Sequence, residues 1–141
     1  MPEWNPAVIV INSRQGDGDE VSEQRIKGES LIKGNSVYIR YVEPEHGPTG
    51  GITRATVKIS PDELKVMRHG EVESEQTFQQ GKRLPGFYRS PYTRFNLSTD
   101  TSRLEVRLKG PYGTVTWEYG LLVHEEMTGH FAISLHIQEE N

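Results

Sequence analysis

The sequence predicts an all-β fold, an antiparallel meander of about eight to ten strands closed into a barrel. Three observations carry that expectation. From Arg103 to Gln138, apolar residues fall at every second position: Leu104, Val106 and Leu108, then Val115, Trp117, Tyr119, Leu121 and Val123, then Phe131, Ile133, Leu135 and Ile137. A period of two marks a strand with one buried face. Turn-forming clusters punctuate the chain at Gly16-Asp17-Gly18-Asp19, Gly34-Asn35, Ser60-Pro61-Asp62-Glu63, His69-Gly70 and Gly110-Pro111-Tyr112-Gly113. No segment joins a helical period to helix caps.

The first strand is expected over Ala7 to Arg14 and the second over Glu20 to Lys33. Ser36 to Glu43 makes the third, Ile52 to Ile59 the fourth, Leu64 to Met67 the fifth and Glu71 to Gln79 the sixth. A seventh run, Phe87 to Asp100, is broken at Pro91, which cannot donate to a ladder. The alternating strands of the last third complete the set.

Turn chemistry fixes the registers. A two-residue Gly34-Asn35 turn pairs Lys33 with Ser36, Ile32 with Val37 and Ser30 with Ile39, and brings Glu29 opposite Arg40. A three-residue Arg68-His69-Gly70 loop pairs Val66 with Val72 and Lys65 with Glu73. Thr101-Ser102, read as another turn, pairs Asp100 with Arg103, Thr99 with Leu104 and Leu97 with Val106. Adjacent hairpins then share one inner face, and closure of the meander removes its exposed edges. The inner set includes Ile26, Gly28, Ser30, Ile32, Val37, Ile39, Tyr41, Thr53, Ala55, Val57, Leu64, Val66, Val72, Ser74, Gln76 and Phe78. Phe95, Leu97, Thr99, Trp117, Tyr119 and Leu121 extend it.

A chain of 141 residues is read as a single domain, residues 1–141, with one core. Only 33% of residues are hydrophobic, which suits strands that bury every second side chain. The absence of cysteine removes disulfides, thiol nucleophiles and cysteine-type zinc sites. Met1-Pro2-Glu3-Trp4-Asn5-Pro6 lacks the basic start and apolar run of a signal peptide, and no apolar stretch reaches membrane-spanning length. A cytoplasmic protein without membrane contact is expected, so the Asn96-Leu97-Ser98 sequon is a chance match.

The net charge of −4 argues against nucleic acid as a partner. Its distribution is uneven. Gln76 to Thr99 holds Lys82, Arg83, Arg89 and Arg94 and no acid, a local charge of +4 that leaves −8 for the remainder.

The segment Val66-Met67-Arg68-His69-Gly70-Glu71-Val72, continuing to Phe78, Gly81 and Tyr88-Arg89-Ser90-Pro91-Tyr92, resembles the YwiB-like family of bacterial proteins. Val37-Tyr38-Ile39-Arg40-Tyr41-Val42-Glu43 is similar to that family's third strand, and the resemblance covers most of the chain. The family's motifs are an Arg-x-Gly turn and a Tyr-x-Thr-Pro-Tyr-Gly segment. This chain departs from the second, with Ser90 for the threonine and Thr93 for the glycine. The resemblance implies a calycin (lipocalin-like) β-barrel and no particular activity, the family being a domain of unknown function. Two signatures of neighbouring calycins are missing. Trp4 follows Pro2-Glu3 rather than a lipocalin Gly-x, and the Arg-x-Tyr pair of fatty-acid carriers is absent.

Four constellations are candidate sites. The basic, aromatic segment with Arg89, Phe87, Tyr88, Tyr92 and Phe95 can hold an anion at a barrel mouth, or its bases can pair with acids such as Glu73, Glu75 or Asp100. Arg68, at the rim beside the left-handed Gly70, can join it. On the inner wall, small residues beside Tyr41, Gln76, Trp117 and Tyr119 leave either a cavity with polar handles or room for packed rings. His124 and His130, across a five-residue loop beside Glu125 and Glu126, have the ingredients of a metal site but read as solvated side chains.

No nucleophile elbow, phosphate loop, dinucleotide fingerprint or zinc-protease helix is present, and strand carboxylates alternate outward. The sequence therefore points to a non-enzymatic protein with no cofactor and no metal. Its expected ligand is a small anionic or aromatic molecule held by Arg68, Arg89 and Tyr92, with an apolar part against Trp117 and Tyr119. The rival is an interaction or assembly module with a filled barrel, whose outward Leu31 and Tyr38 form part of a patch. Oligomeric state is left open.

Overall fold

The computed structural model describes residues 3–16 and 21–140. Ten strands follow one another in it: β1 (Asn5–Gln15), β2 (Val21–Lys33), β3 (Ser36–Val42), β4 (Thr53–Ile59), β5 (Leu64–Gly70), β6 (Glu73–Phe78), β7 (Arg83–Arg89), β8 (Arg94–Lys109), β9 (Tyr112–Val123) and β10 (Glu126–Glu139). Each pairs antiparallel with its predecessor, and β1 pairs with β10 to close the barrel. Asp17, Gly18 and Asp19 of the expected first turn, and Glu20, lie outside the described residues.

The meander sorts the connections between two ends. Both termini and the β2–β3, β4–β5, β6–β7 and β8–β9 links lie at one end, here the lower. The β3–β4, β5–β6, β7–β8 and β9–β10 links lie at the upper end. No helix among the described residues is long and apolar enough to cross a membrane.

The Gly34-Asn35 turn sets the register expected of it: Lys33 meets Ser36, Ser30 meets Ile39 and Glu29 meets Arg40. Two other registers differ. In β5–β6, Val66 opposes Gln76 and Lys65 opposes Thr77, in place of Val72 and Glu73. The shift is four residues, an even number, so every inner residue stays inside. Thr101-Ser102 is not a turn: β8 runs through it with a bulge, and Thr99 faces Leu121 while Leu104 faces Trp117. The extra residue moves the inward set from Leu97, Thr99 and Thr101 to Leu104, Val106 and Leu108, the parity change a two-residue turn would also make. The break expected at Pro91 is the Ser90–Thr93 connection, where Ser90 N–H donates to the Thr93 carbonyl and β7 turns into β8.

The core lies within the lumen. Ile9, Ile39, Ile59, Leu64, Phe78, Val115 and Ile137 are almost wholly buried. Phe78 packs against Trp117 at 5.7 Å and against Tyr119 at 4.6 Å between ring centroids, and Tyr119 stacks on Phe131 at 5.3 Å. These rings form a column within the core cluster.

Candidate functional site

The upper mouth collects the most polar of the inward side chains. Inward positions on β3, β4 and β5 align because Tyr41 pairs with Ala55 and Ala55 with Arg68. Across β5, Arg68 meets Ser74, which meets Tyr88 on β7. Arg68 therefore projects into the mouth rather than outward. Its Nε donates to Glu43 Oε2 at 2.8 Å and its Nη2 to Glu43 Oε1 at 2.7 Å, a two-pronged pair with side chains 30% and 20% exposed.

Burial alone would lower the arginine's pKa. The hydrogen bonds and charge of Glu43 outweigh it and raise the value, with smaller contributions from Tyr88 and Tyr41. Tyr41 is pushed up to about 12, chiefly by burial and then by the Glu43 charge, with Arg68 partly offsetting both. Tyr88 stacks on Phe95 at 5.1 Å with planes 20° apart, forming an aromatic wall on the same inner face.

A second carboxylate secures the rim. Glu71, between β5 and β6, accepts from the Thr49 amide at 2.6 Å and the Gly51 amide at 2.7 Å. Its own amide donates to the Ile52 carbonyl. A Cβ at Gly47 would meet the Glu71 carboxylate, so a side chain there would displace it from the loop amides. Glu71 thus ties down the loop that begins at Glu43, the partner of Arg68.

The remaining predicted residues are dispersed. Gln76 faces inward opposite Val66, one inward step deeper than Ser74. Trp117 and Tyr119 are 5% and 7% exposed and belong to the packed column. Burial pushes the Tyr119 hydroxyl up to about 12.

Arg89 lies on the outer face opposite Glu73, with a 3.8 Å ion pair and its guanidinium 5.1 Å from the Phe87 ring. Tyr92, at the β7–β8 tip, is 73% exposed. Arg83 pairs with Asp100, and Glu75 with Lys65 of β5. The acid-free segment is thus divided, with Tyr88 and Phe95 in the mouth, Arg83, Arg89 and Arg94 on the outer wall and Lys82 in the β6–β7 connection.

His124 and His130 do not oppose one another. His124 and Glu125 form a tight turn with φ of 53° and 65°, and His130 pairs with Gly120. Leu31 does oppose Tyr38 on the outer face but is only 8% exposed. The Asn5–Ser30 pairing brings Trp4 next in line to Leu31, with the Arg40 guanidinium 3.9 Å over the Trp4 ring.

Glu43 and Glu71 were missed from sequence. Nothing local marks either, since their partners are 25 and about 20 residues away in the chain.

A ten-strand closed antiparallel barrel with a polar mouth defines the class. Residues 8–135 match the family model described as a domain of unknown function, DUF1934, and the chain belongs to that family. It is 33% identical over 128 residues to the uncharacterized β-barrel protein YwiB of Bacillus subtilis (strain 168), covering 89% of this chain and 88% of that protein. The crystal structure of the ywiB protein from Bacillus subtilis matches with a TM-score of 0.80 at 24% identity, over 99% of this chain and 96% of that one. That likeness shows the fold.

Proposed function

We propose that this barrel is a non-enzymatic, calycin-like binder of a small anionic or aromatic molecule at its upper mouth, at work in the bacterial cytoplasm. The observation that carries the reading is the state of Arg68. Glu43 engages Nε and Nη2, while Nη1 keeps its hydrogens without a protein acceptor among the described residues. A partly buried guanidinium with free donors favours a planar acceptor such as a carboxylate. The Tyr88–Phe95 wall gives a ring somewhere to stack. Glu43 offsets the arginine charge, which suits a monoanion better than a phosphate. The packed Phe78, Trp117 and Tyr119 keep the ligand in the mouth rather than deep in the lumen.

The test uses 1-anilinonaphthalene-8-sulfonate, an aromatic monoanion, as the probe, with native folding checked by near-UV circular dichroism. Saturable binding to the wild type is expected, weakened about tenfold in Arg68→Ala, the loss of one charge-assisted contact. Arg89→Ala, on the outer wall, leaves the affinity unchanged. Equal affinities of wild type and a folded Arg68→Ala variant would sink the reading.

A further inference from the structure

Among the described residues, β8 beyond Thr101 and β2 before Glu29 are each paired on one side only, and the β2 edge is complementary to itself in sequence. The β2–β3 ladder ends at Glu29 opposite Arg40, although β2 extends back to Val21. The parting occurs at Gly28. A side chain there would lie 2.5 Å from the Arg40 carbonyl and 2.7 Å from Ile9 Cδ1, so the strands are pressed together at this glycine before they separate. Above it, β2 pairs with β1 only.

Lys33 and Ser36 flank a two-residue turn and exchange backbone hydrogen bonds, which makes the odd residues of β2 those whose N–H and C=O point toward β3. By that parity Val21, Glu23, Arg25 and Lys27 present backbone groups outward. Among the described residues, none of these finds a partner on that side. All four side chains are exposed. A groove of about 620 Å³, lined by Lys27, Glu29, Arg40, Tyr41, Arg54 and Thr56, among others, runs alongside the parting.

Charges on an edge ordinarily discourage pairing. Here they select a register. In an antiparallel pairing of β2 with the β2 of a second copy, ladder parity requires odd residues to face odd residues. A two-fold axis through Gln24 places Glu23 opposite Arg25 of the second copy and Arg25 opposite its Glu23, with Val21 under the stem of Lys27. Moving the axis one residue either way sets Glu23 against Glu23 or Arg25 against Arg25. The Arg25-centred register also pairs Glu23 with Lys27 twice, but only the central register makes two ion pairs with no like charges opposed.

We propose that the chain forms a two-fold homodimer by antiparallel pairing of this β2 edge, joining two barrels through a continuous sheet. The edge lies in the upper half of the barrel, and the groove beside it shares Tyr41 with the mouth.

The experiment is sedimentation equilibrium on the full chain over a wide concentration range, with three exposed-residue variants. The wild type dimerises. Arg25→Glu alone and Glu23→Arg alone each weaken the dimer by about tenfold, because both copies then bring like charges together. The double variant Glu23→Arg/Arg25→Glu restores wild-type association, which general loss of folding or of solubility would not do. Hydrogen exchange at the amides of Glu23 and Arg25 slows as concentration rises. A wild-type monomer at all concentrations, a dimer indifferent to the single reversals, or a double variant that fails to recover would each overturn the proposal.

Discussion

At the lower end of the barrel, Ile32, Val37, Ile59, Pro61, Val106 and Leu108 line a cleft of about 390 Å³, with a Ser36–Ser60 hydroxyl contact of 2.9 Å beside them. At the upper end, Arg68 grips Glu43, Glu71 grips the amides of Thr49 and Gly51, and Tyr41 and Tyr88 stand beside the arginine. Apolar closure is non-directional and scales with area, so it stabilises without fixing any one atom. Polar closure loses its value unless each donor meets its acceptor, so it holds side chains in defined places. A barrel needing only stability could have closed both ends with aliphatic residues. The contrast sets non-directional packing at the lower end against fixed polar geometry at the upper.

The largest expected effect breaks the lower end. Ile59 is 1% exposed and belongs to the core cluster, so Ile59→Ala should cost about 3 kcal/mol from lost burial and the cavity left behind. Urea unfolding measures it. The loss should be insensitive to salt, and exchange protection of the Thr49 and Gly51 amides should survive in the folded variant. If those amides are lost along with the core, the two ends are a single cooperative unit and the contrast between them fails.

A somewhat smaller effect sharpens the comparison on the alkaline side. Burial raises Tyr41 and Tyr119 from the ordinary tyrosine value of 10.0 to about 12. Below pH 10 both rings are protonated in either state and the full stability is present. Between pH 10 and 12 the unfolded chain releases protons that the native one keeps, so stability falls. Each ring contributes at most about 1.4 kcal/mol per pH unit there. Tyr41→Phe should flatten the slope contributed by the mouth, and Tyr119→Phe that of the column. Denaturation midpoints at pH 9, 10 and 11 decide it, and an unchanged slope in both variants would contradict the burial assigned to them.

The sequence made the faces legible and left some partners hidden, for reasons visible in particular residues. The β2–β3 register was readable because a two-residue turn admits one pairing and Glu29 with Arg40 supports it. The β5–β6 register was not, since a slide of four residues keeps Val66, Arg68 and Ser74 on the inner face and no polarity pattern distinguishes it. At Thr101, a bulge and a tight turn produce the same parity change, so alternation alone cannot choose between them. Of the candidate site, Tyr41 could be placed by parity and Arg68 at a rim, while the face of Tyr88 was hidden. The outward direction of Arg89 follows from its pairing with Glu73, which the misread start of β7 concealed. Glu43 and Glu71 act across strands distant in sequence, where composition carries no signal.

The smallest expected effect concerns how the two ends turn. At the lower end, positive φ falls on glycine: Gly34 at 62°, Gly81 at 80° and Gly110 at 62°. At the upper end, His124 and Glu125 occupy φ of 53° and 65° in succession, a conformation that costs a residue bearing a Cβ about 1 kcal/mol or more. Glu125→Gly removes that cost at the second turn position while keeping the Val123–Glu126 pair. A gain of about 1 kcal/mol is expected, read as a higher urea midpoint with an unchanged m-value. The equivalent change at the lower end, Gly34→Ala, should destabilise by a similar amount, because the new side chain inherits the strain that glycine avoids. Should Glu125→Gly lower the midpoint, its carboxylate must stabilise the turn by more than the backbone strain costs, and the upper end would be more tightly held than its φ values imply.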